Sequence, residues 1–124
     1  MSNVINWFEI PANNFERACD FYSKVMGTEL QKMPVGELPD LMAFFHHEGE
    51  GTVGGSIIKG EGYVPSAEGS VIYLNGGNDL ADPLSRVEGA GGKILLPKTA
   101  IGENGFIAHF MDTEGNRVAF HSMN

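Results

Sequence analysis

Residues 8–27, FEIPANNFERACDFYSKVMG, join the end of a β-strand to a complete α-helix. Imperfect alternation of apolar side chains predicts the strand over 4–10. Apolar residues then recur at helical spacing and predict a helix over 14–26, with Asn13 as its N-cap. Gly27 is well placed to end that helix in a left-handed conformation. This stretch therefore predicts a strand, a capped helix and a glycine stop in direct succession.

The same order of elements occurs twice along the chain. Three further strands are expected in the first half, near 29–33, 41–46 and 52–59, and a linker follows over 60–69. The second half predicts a strand, a helix and three strands, at 70–74, 79–90, 93–96, 105–111 and 117–122. The sequence therefore predicts one α+β domain over 1–124, built from two β-α-β-β-β modules at about 1–60 and 70–124.

Composition excludes several classes of protein. The chain has 124 residues, 42% of them apolar, which suits one folded domain and excludes a disordered chain. Its net charge of −8 disfavours binding to nucleic acid or to an anionic membrane. The apolar runs are too short to span a bilayer, and the N-terminal residues do not resemble a signal peptide. With Cys19 as the sole cysteine, these features predict a cytoplasmic protein.

Three motifs carry a resemblance to a known family. Residues 8–27 are similar to the opening strand and helix of many members of the vicinal-oxygen-chelate superfamily, which includes glyoxalases, bleomycin-resistance proteins and extradiol dioxygenases. Residues 87–93, VEGAGGK, give a second match, and residues 111–116, MDTEGN, resemble the hairpin Asp-Pro-Glu-Gly-Asn, with Thr113 in place of proline. The resemblance implies an open, barrel-like mixed sheet around a pocket, with helices outside and pairing into homodimers common.

The resemblance also locates the usual metal site. Metal-dependent members carry one ligand, commonly His or Glu, on each of four strands. Those positions fall on Trp7, near Gly55 with about one residue of uncertainty, on Val71 and on Ala119. None of these side chains binds a divalent metal. We therefore expect no metal at the usual site and predict no cofactor.

A relocated metal is the alternative. His109 and His121 lie on the two strands of one predicted hairpin and could meet. Together with Glu9 or Glu50 they form the fallback constellation for a divalent ion.

Strand alternation names the residues expected to line the pocket. Side chains two residues apart lie on the same face of a strand, which places Glu9 beside Trp7, Tyr73 beside Val71 and His121 beside Ala119. The sequence thus predicts a ligand site formed by Trp7, Glu9, Tyr73 and His121. The alternatives to ligand binding are structural roles: Trp7 fills the barrel, Glu9 forms hydrogen bonds with the backbone at the rim, and Tyr73 lines the cavity without contacting a ligand.

Three functions are compatible with these residues. The preferred one is a metal-independent pocket protein that binds a small, partly apolar molecule. A second is a glyoxalase-like lyase or related enzyme, with a relocated metal or with Glu9, Tyr73 or His121 as acid and base groups. A third is an interaction module with a vestigial pocket. A homodimer is expected in each case, because an open sheet leaves edge strands to cover.

Overall fold

The computed structural model describes residues 3–124, with the side chains of Val35 and Leu38 left aside, and this part contains eight strands in two four-stranded mixed sheets. The first module comprises β1 (Trp7–Pro11), α1 (Phe15–Met26), β2 (Gln31–Val35), β3 (Leu38–Phe44) and β4 (Gly54–Lys59). The second comprises β5 (Ile72–Asn75), α2 (Ala81–Leu84), β6 (Lys93–Ala100), a 3-10 turn at Gly102–Asn104, β7 (Phe106–Met111) and β8 (Arg117–Ser122).

The two sheets share one topology. Their strand orders are β1-β4-β3-β2 and β5-β8-β7-β6, so the first and last strands of each module lie side by side. Those two pairs, β1 with β4 and β5 with β8, are parallel, and the remaining pairs are antiparallel. The predicted α+β fold of two β-α-β-β-β modules with open mixed sheets is confirmed.

One hydrophobic core lies between the helices and both sheets. The ring of Phe21 on α1 lies 6.0 Å from that of Phe110 on β7, and Tyr22 packs edge-on against Phe45 at the end of the first sheet. Because α1 contacts both modules, burial of its apolar side holds them together. We call the face of each sheet that is turned away from α1 and α2 its outer face.

Two helix predictions need correction. The N-cap of α1 is Asn14 rather than Asn13, because the Asn14 side chain accepts a hydrogen bond from the backbone N–H of Arg17. The second helix is regular only over Ala81–Leu84 and continues to residue 91 as tighter turns. Several of its later bonds join residues three apart, and the glycine-rich end of this segment disfavours a longer α-helix. Gly27 does end α1 in a left-handed conformation, with φ at 72°.

The turn between β7 and β8 fastens the second module to the first. The Tyr22 hydroxyl donates to Asp112 Oδ2 at 2.7 Å, and Asn116 Nδ2 donates to the Pro11 carbonyl at 2.8 Å. Glu114 accepts hydrogen bonds from the N-terminus of α1. Asp112, Glu114 and Asn116 are all buried, and we call this hydrogen-bonded turn the polar clasp. Within the described residues, no helix is long and apolar enough to cross a membrane.

Candidate functional site

A hydrogen-bonded row of three residues crosses the outer face of the second sheet. Tyr73, Ala119 and His109 are aligned on β5, β8 and β7. The Tyr73 hydroxyl lies 2.9 Å from His109 Nε2, so this bond spans the small side chain between them. Ala119 is fully buried as a result, although it lies on the outer face.

Arg117 determines which ring nitrogen of His109 carries the proton. Its Nη1 donates to His109 Nδ1 at 3.0 Å, and since a guanidinium can only donate, Nδ1 must be the unprotonated nitrogen. Nε2 then carries the proton and donates to the Tyr73 oxygen. Burial, and after it the positive charge of Arg117, lower the pKa of His109, which agrees with a neutral ring at pH 7. The Tyr73 hydroxyl proton therefore has no role in this bond and can be donated to a ligand.

His121 lies at the other end of this face. Its Nε2 donates to the Asn104 carbonyl at 2.6 Å, which fixes the orientation of the ring and leaves Nδ1 for other partners. A cavity of about 830 Å³ opens beside it. The side chains around this cavity mix apolar and amide groups with the two predicted site residues, and include Tyr73, Asn75, Ile101, Asn104, Ile107 and His121.

Trp7 and Glu9 lie on the outer face of the first sheet. The Trp7 indole is 40% exposed and meets Phe44 edge-on, with ring centroids 5.4 Å apart. The half-buried Glu9 is close to the linker residue Tyr63, whose pKa its negative charge raises. Neither residue lines the 830 Å³ cavity. The structure thus brings Tyr73 and His121 together, while Trp7 and Glu9 lie on the other module.

The fourth-strand metal position is off by one residue in the sequence-based assignment. Trp7 is paired with Gly54 and Glu9 with Ser56, so these residues share the outer face. Gly55 faces the helices instead, since a Cβ built on it would overlap the Phe8 ring. The assignment to Gly55 is therefore replaced by Gly54 and Ser56, and neither is a typical ligand of a divalent metal.

A divalent ion does not fit the usual positions. Trp7, Val71 and Ala119 offer no donor atom, and the bond between Tyr73 and His109 covers the last of these positions. His109 and His121, the alternative metal ligands, do not form a metal site either. Both ring nitrogens of His109 are engaged, and the described residues contain no group of three His, Cys, Asp or Glu side chains that could hold an ion, with or without Glu9 or Glu50.

Arg117 is the residue of this face that the sequence reasoning missed. Arg117 lies two residues before Ala119 on the same strand, so the alternation that predicts His121 on this face also predicts Arg117 there. The sequence predicts His109 as a fallback metal ligand, whereas in the structure its two ring nitrogens join Tyr73 and Arg117.

Comparison with known proteins matches almost the whole chain. A family model described as the Glyoxalase/Bleomycin resistance protein/Dioxygenase superfamily matches residues 4–120. A glyoxylase-like domain-containing protein of Didymella fabae is 34% identical over 122 residues, which cover 93% of this chain and 90% of that protein.

Solved structures show the same fold at lower identity. A glyoxalase/bleomycin resistance protein from Albidiferax ferrireducens is 12% identical with a TM-score of 0.75, over 98% of this chain and all of the other. Glyoxalase I from Zea mays is 23% identical with a TM-score of 0.67, and the match covers 94% of this chain but 45% of the maize chain. This chain therefore spans about half the length of the maize enzyme, and the likeness concerns the fold alone.

Proposed function

This chain belongs to the glyoxalase/bleomycin resistance protein/dioxygenase superfamily, and we propose that it binds a small, partly apolar molecule without the divalent metal that many members use. The site we propose is the outer face of the second sheet, with Tyr73 and His121 in contact with the ligand. The observation that carries this proposal is the cavity of about 830 Å³ beside these two residues.

The size and the lining of the cavity support binding of a small molecule. Its volume falls within the range of about 300–1,000 Å³ that is usual for ligand pockets. Ile101 and Ile107 supply apolar surface, while Asn75, Asn104 and His121 supply a few hydrogen-bonding groups. Such a lining suits a ligand with an apolar body and some polar atoms.

Metal independence is supported by the chemistry of the usual positions. Where metal-dependent relatives carry a ligand on the last strand, this chain has Ala119 beneath the bond between Tyr73 and His109. A divalent ion prefers imidazole or carboxylate donors, and these positions offer neither.

Protein purified without a His tag should carry far less than one divalent ion per chain. A chelator should leave its thermal stability unchanged, because only an ion bound to the folded state raises stability by mass action. Mass-spectrometric metal analysis and thermal melts with and without EDTA check both points. Stoichiometric Zn, Ni, Mn or Fe, removed by EDTA with a fall in Tm, would contradict the proposal.

In a homodimer, Trp7 and Glu9 could contribute to the same ligand site as Tyr73 and His121. Large apolar side chains are exposed on both outer faces, with Trp7 40%, Met33 39% and Tyr73 47% exposed. We propose that two copies pair through these faces, and that Trp7 and Glu9 of one copy then complete the ligand site of the other. Burial of this apolar surface would supply the driving force.

Light scattering at tens of micromolar should give twice the mass of one chain, which suits an interface of modest affinity. Trp7→Arg should shift this mass toward the monomer, because it buries a charge in the proposed interface. Leu41→Arg is the matched control, since Leu41 is 47% exposed but is paired with residues of the opposite face. A monomeric wild-type protein, or equal effects of both variants, would refute the proposed interface.

A further inference from the structure

A second cavity, of about 450 Å³, opens between the start of β4 and the end of β5. Among the described residues it shares only Leu74 and Asn75 with the cavity of 830 Å³, and neither Tyr73 nor His121 lines it. Its volume lies within the range of about 300–1,000 Å³ that is usual for ligand pockets. It is therefore a candidate for a binding site that is separate from the one proposed above.

Apolar side chains form much of the wall of this second cavity. They are Phe8, Met26, Phe45, Val53 and Leu74. The rings of Phe8 and Phe45 lie 5.5 Å apart, and Phe45 and Leu74 are buried in the core. Core packing fixes the position of these side chains, so this part of the wall is formed before a ligand arrives. Such a wall suits an apolar ligand body, and an aromatic ring in particular.

His47 adds a hydrogen-bond acceptor to the cavity. The Thr52 hydroxyl donates its single proton to the Gly49 carbonyl at 2.8 Å, so toward His47 Nδ1, 2.8 Å away, Thr52 Oγ1 can only accept. Nδ1 therefore carries the ring proton, and Nε2 of the neutral ring is unprotonated. Among the described residues Nε2 has no hydrogen-bond partner, and the exposed side chain of His47 is accessible to a ligand.

Gly54 makes room for the His47 ring at the cavity. Both residues line it, and a Cβ built on Gly54 would overlap His47 Nε2. The ring thus occupies the space that a side chain at position 54 would fill. The unprotonated nitrogen is therefore held at the start of β4, beside the apolar wall.

We propose that this cavity binds a neutral phenol, whose hydroxyl donates a hydrogen bond to His47 Nε2 while its ring contacts the apolar wall. A phenol combines a planar apolar body with one O–H donor, which matches these two features. An anion does not match them, because an unprotonated Nε2 has no proton to donate and because the acidic Glu48 also lines the cavity. This site goes beyond the proposed function, since Tyr73 and His121 take no part in it.

The compounds 4-hydroxyacetophenone and 4-methoxyacetophenone test this proposal, because they share a ring and a ketone but differ in the phenolic proton. The ¹⁵N-labelled protein is titrated at about pH 7, where a phenol keeps its proton and an ordinary imidazole is mostly neutral. NMR follows the nitrogens of the histidine rings. Before any addition, His47 should show a protonated Nδ1 and an unprotonated Nε2.

The phenol should bind with a Kd on the order of 1–10 mM, as suits so small a molecule, and should shift the His47 Nε2 signal. Its methyl ether should bind about fivefold more weakly, since it has no proton to donate to that nitrogen.

Three variants assign this preference to the named groups. His47→Phe keeps a flat ring but removes the acceptor, and should abolish the preference for the phenol. Gly54→Ala keeps His47 but displaces its ring, and should reduce the preference. His46→Gln is the matched control, because it changes the adjacent histidine, whose Nε2 lies 3.0 Å from Glu48 Oε1, and it should leave the preference unchanged.

The outcomes separate this site from the one proposed above. Equal affinities for the two compounds, an Nε2-protonated His47, or a preference that survives His47→Phe would overturn the phenol site. Shifts confined to the His121 ring would also overturn it, but would support the cavity of the proposed function. Absence of shifts from either compound at about 10 mM would overturn it as well. Unchanged His109 and His121 signals in each variant show that it is folded.

Discussion

Replacement of Glu114 by alanine is expected to lower the free energy of unfolding by about 2–4 kcal/mol. Its side chain is 1% exposed, and its Oε1 accepts the backbone N–H groups of Asn13 and Asn14 at 2.9 and 2.7 Å. Its Oε2 accepts from Arg17 Nε at 2.7 Å and from the Thr113 hydroxyl at 3.0 Å. Alanine would leave these donors without their acceptor at the junction of the two modules. Urea unfolding monitored by circular dichroism measures the loss.

Glu16 provides the matched control for this prediction. It lies two residues after Asn14 in α1, its side chain is 68% exposed, and within the described residues its ion pair is with Lys32. Glu16→Ala should therefore cost no more than about 0.5 kcal/mol. Glu114→Gln, which keeps one acceptor oxygen but loses the charge, should lie between the two. If Glu16→Ala and Glu114→Ala proved equally harmful, the clasp would not contribute as described.

The same carboxylate predicts a dependence of stability on pH. Burial alone would raise the pKa of Glu114, but the hydrogen bonds from Arg17 and Asn14 and the positive charge of Arg17 hold it below its ordinary value of 4.5. A group whose pKa is lowered on folding contributes its full stability above the pKa of the unfolded chain. That contribution should fall away as the pH drops below 4.5 and through the lowered folded value. Unfolding curves of wild type and Glu114→Gln should therefore converge at low pH.

The hydrogen bonds of the polar clasp could not be predicted from local sequence patterns. The sequence identified residues 111–116 as a turn, because Gly115 follows short polar residues between two apolar runs. The partners of that turn, Tyr22 and the start of α1, lie about 90–100 residues away along the chain. Periodicity and turn chemistry describe neighbours in sequence, so contacts of this range required the packed structure.

The candidate site was predictable to the extent that strand alternation held. Alternation predicts Tyr73 and His121 on one face, because both lie within regular strands whose other face is strongly apolar. It failed at the start of β4, where Gly54 and Gly55 carry no side chains to mark the faces. It also could not place Trp7 and Tyr73 relative to each other, since that depends on how two separate sheets pack around α1.

Gly55→Ala tests that corrected register directly, and it should destabilise the protein by about 1–3 kcal/mol. A Cβ at this position would overlap the ring of Phe8, which is partly buried against the core and lies 5.5 Å from the ring of Phe45. Relief would require Phe8 to move within a packed cluster, which is costly. The lower entropy of alanine in the unfolded chain would recover only about 0.4–1 kcal/mol. Denaturant unfolding gives the difference.

Ser56→Ala, at the next residue, should have the opposite outcome, because Ser56 lies on the outer face paired with Glu9 and Phe44. Its hydroxyl is buried and, within the described residues, makes no hydrogen bond. Loss of a buried polar atom without a partner should leave stability unchanged or raise it by about 1 kcal/mol. If Gly55→Ala were neutral while Ser56→Ala destabilised the fold, β4 would be shifted by one residue. Gly55 would then return to the face of Trp7, and the placement of the fourth metal position would have to be reversed.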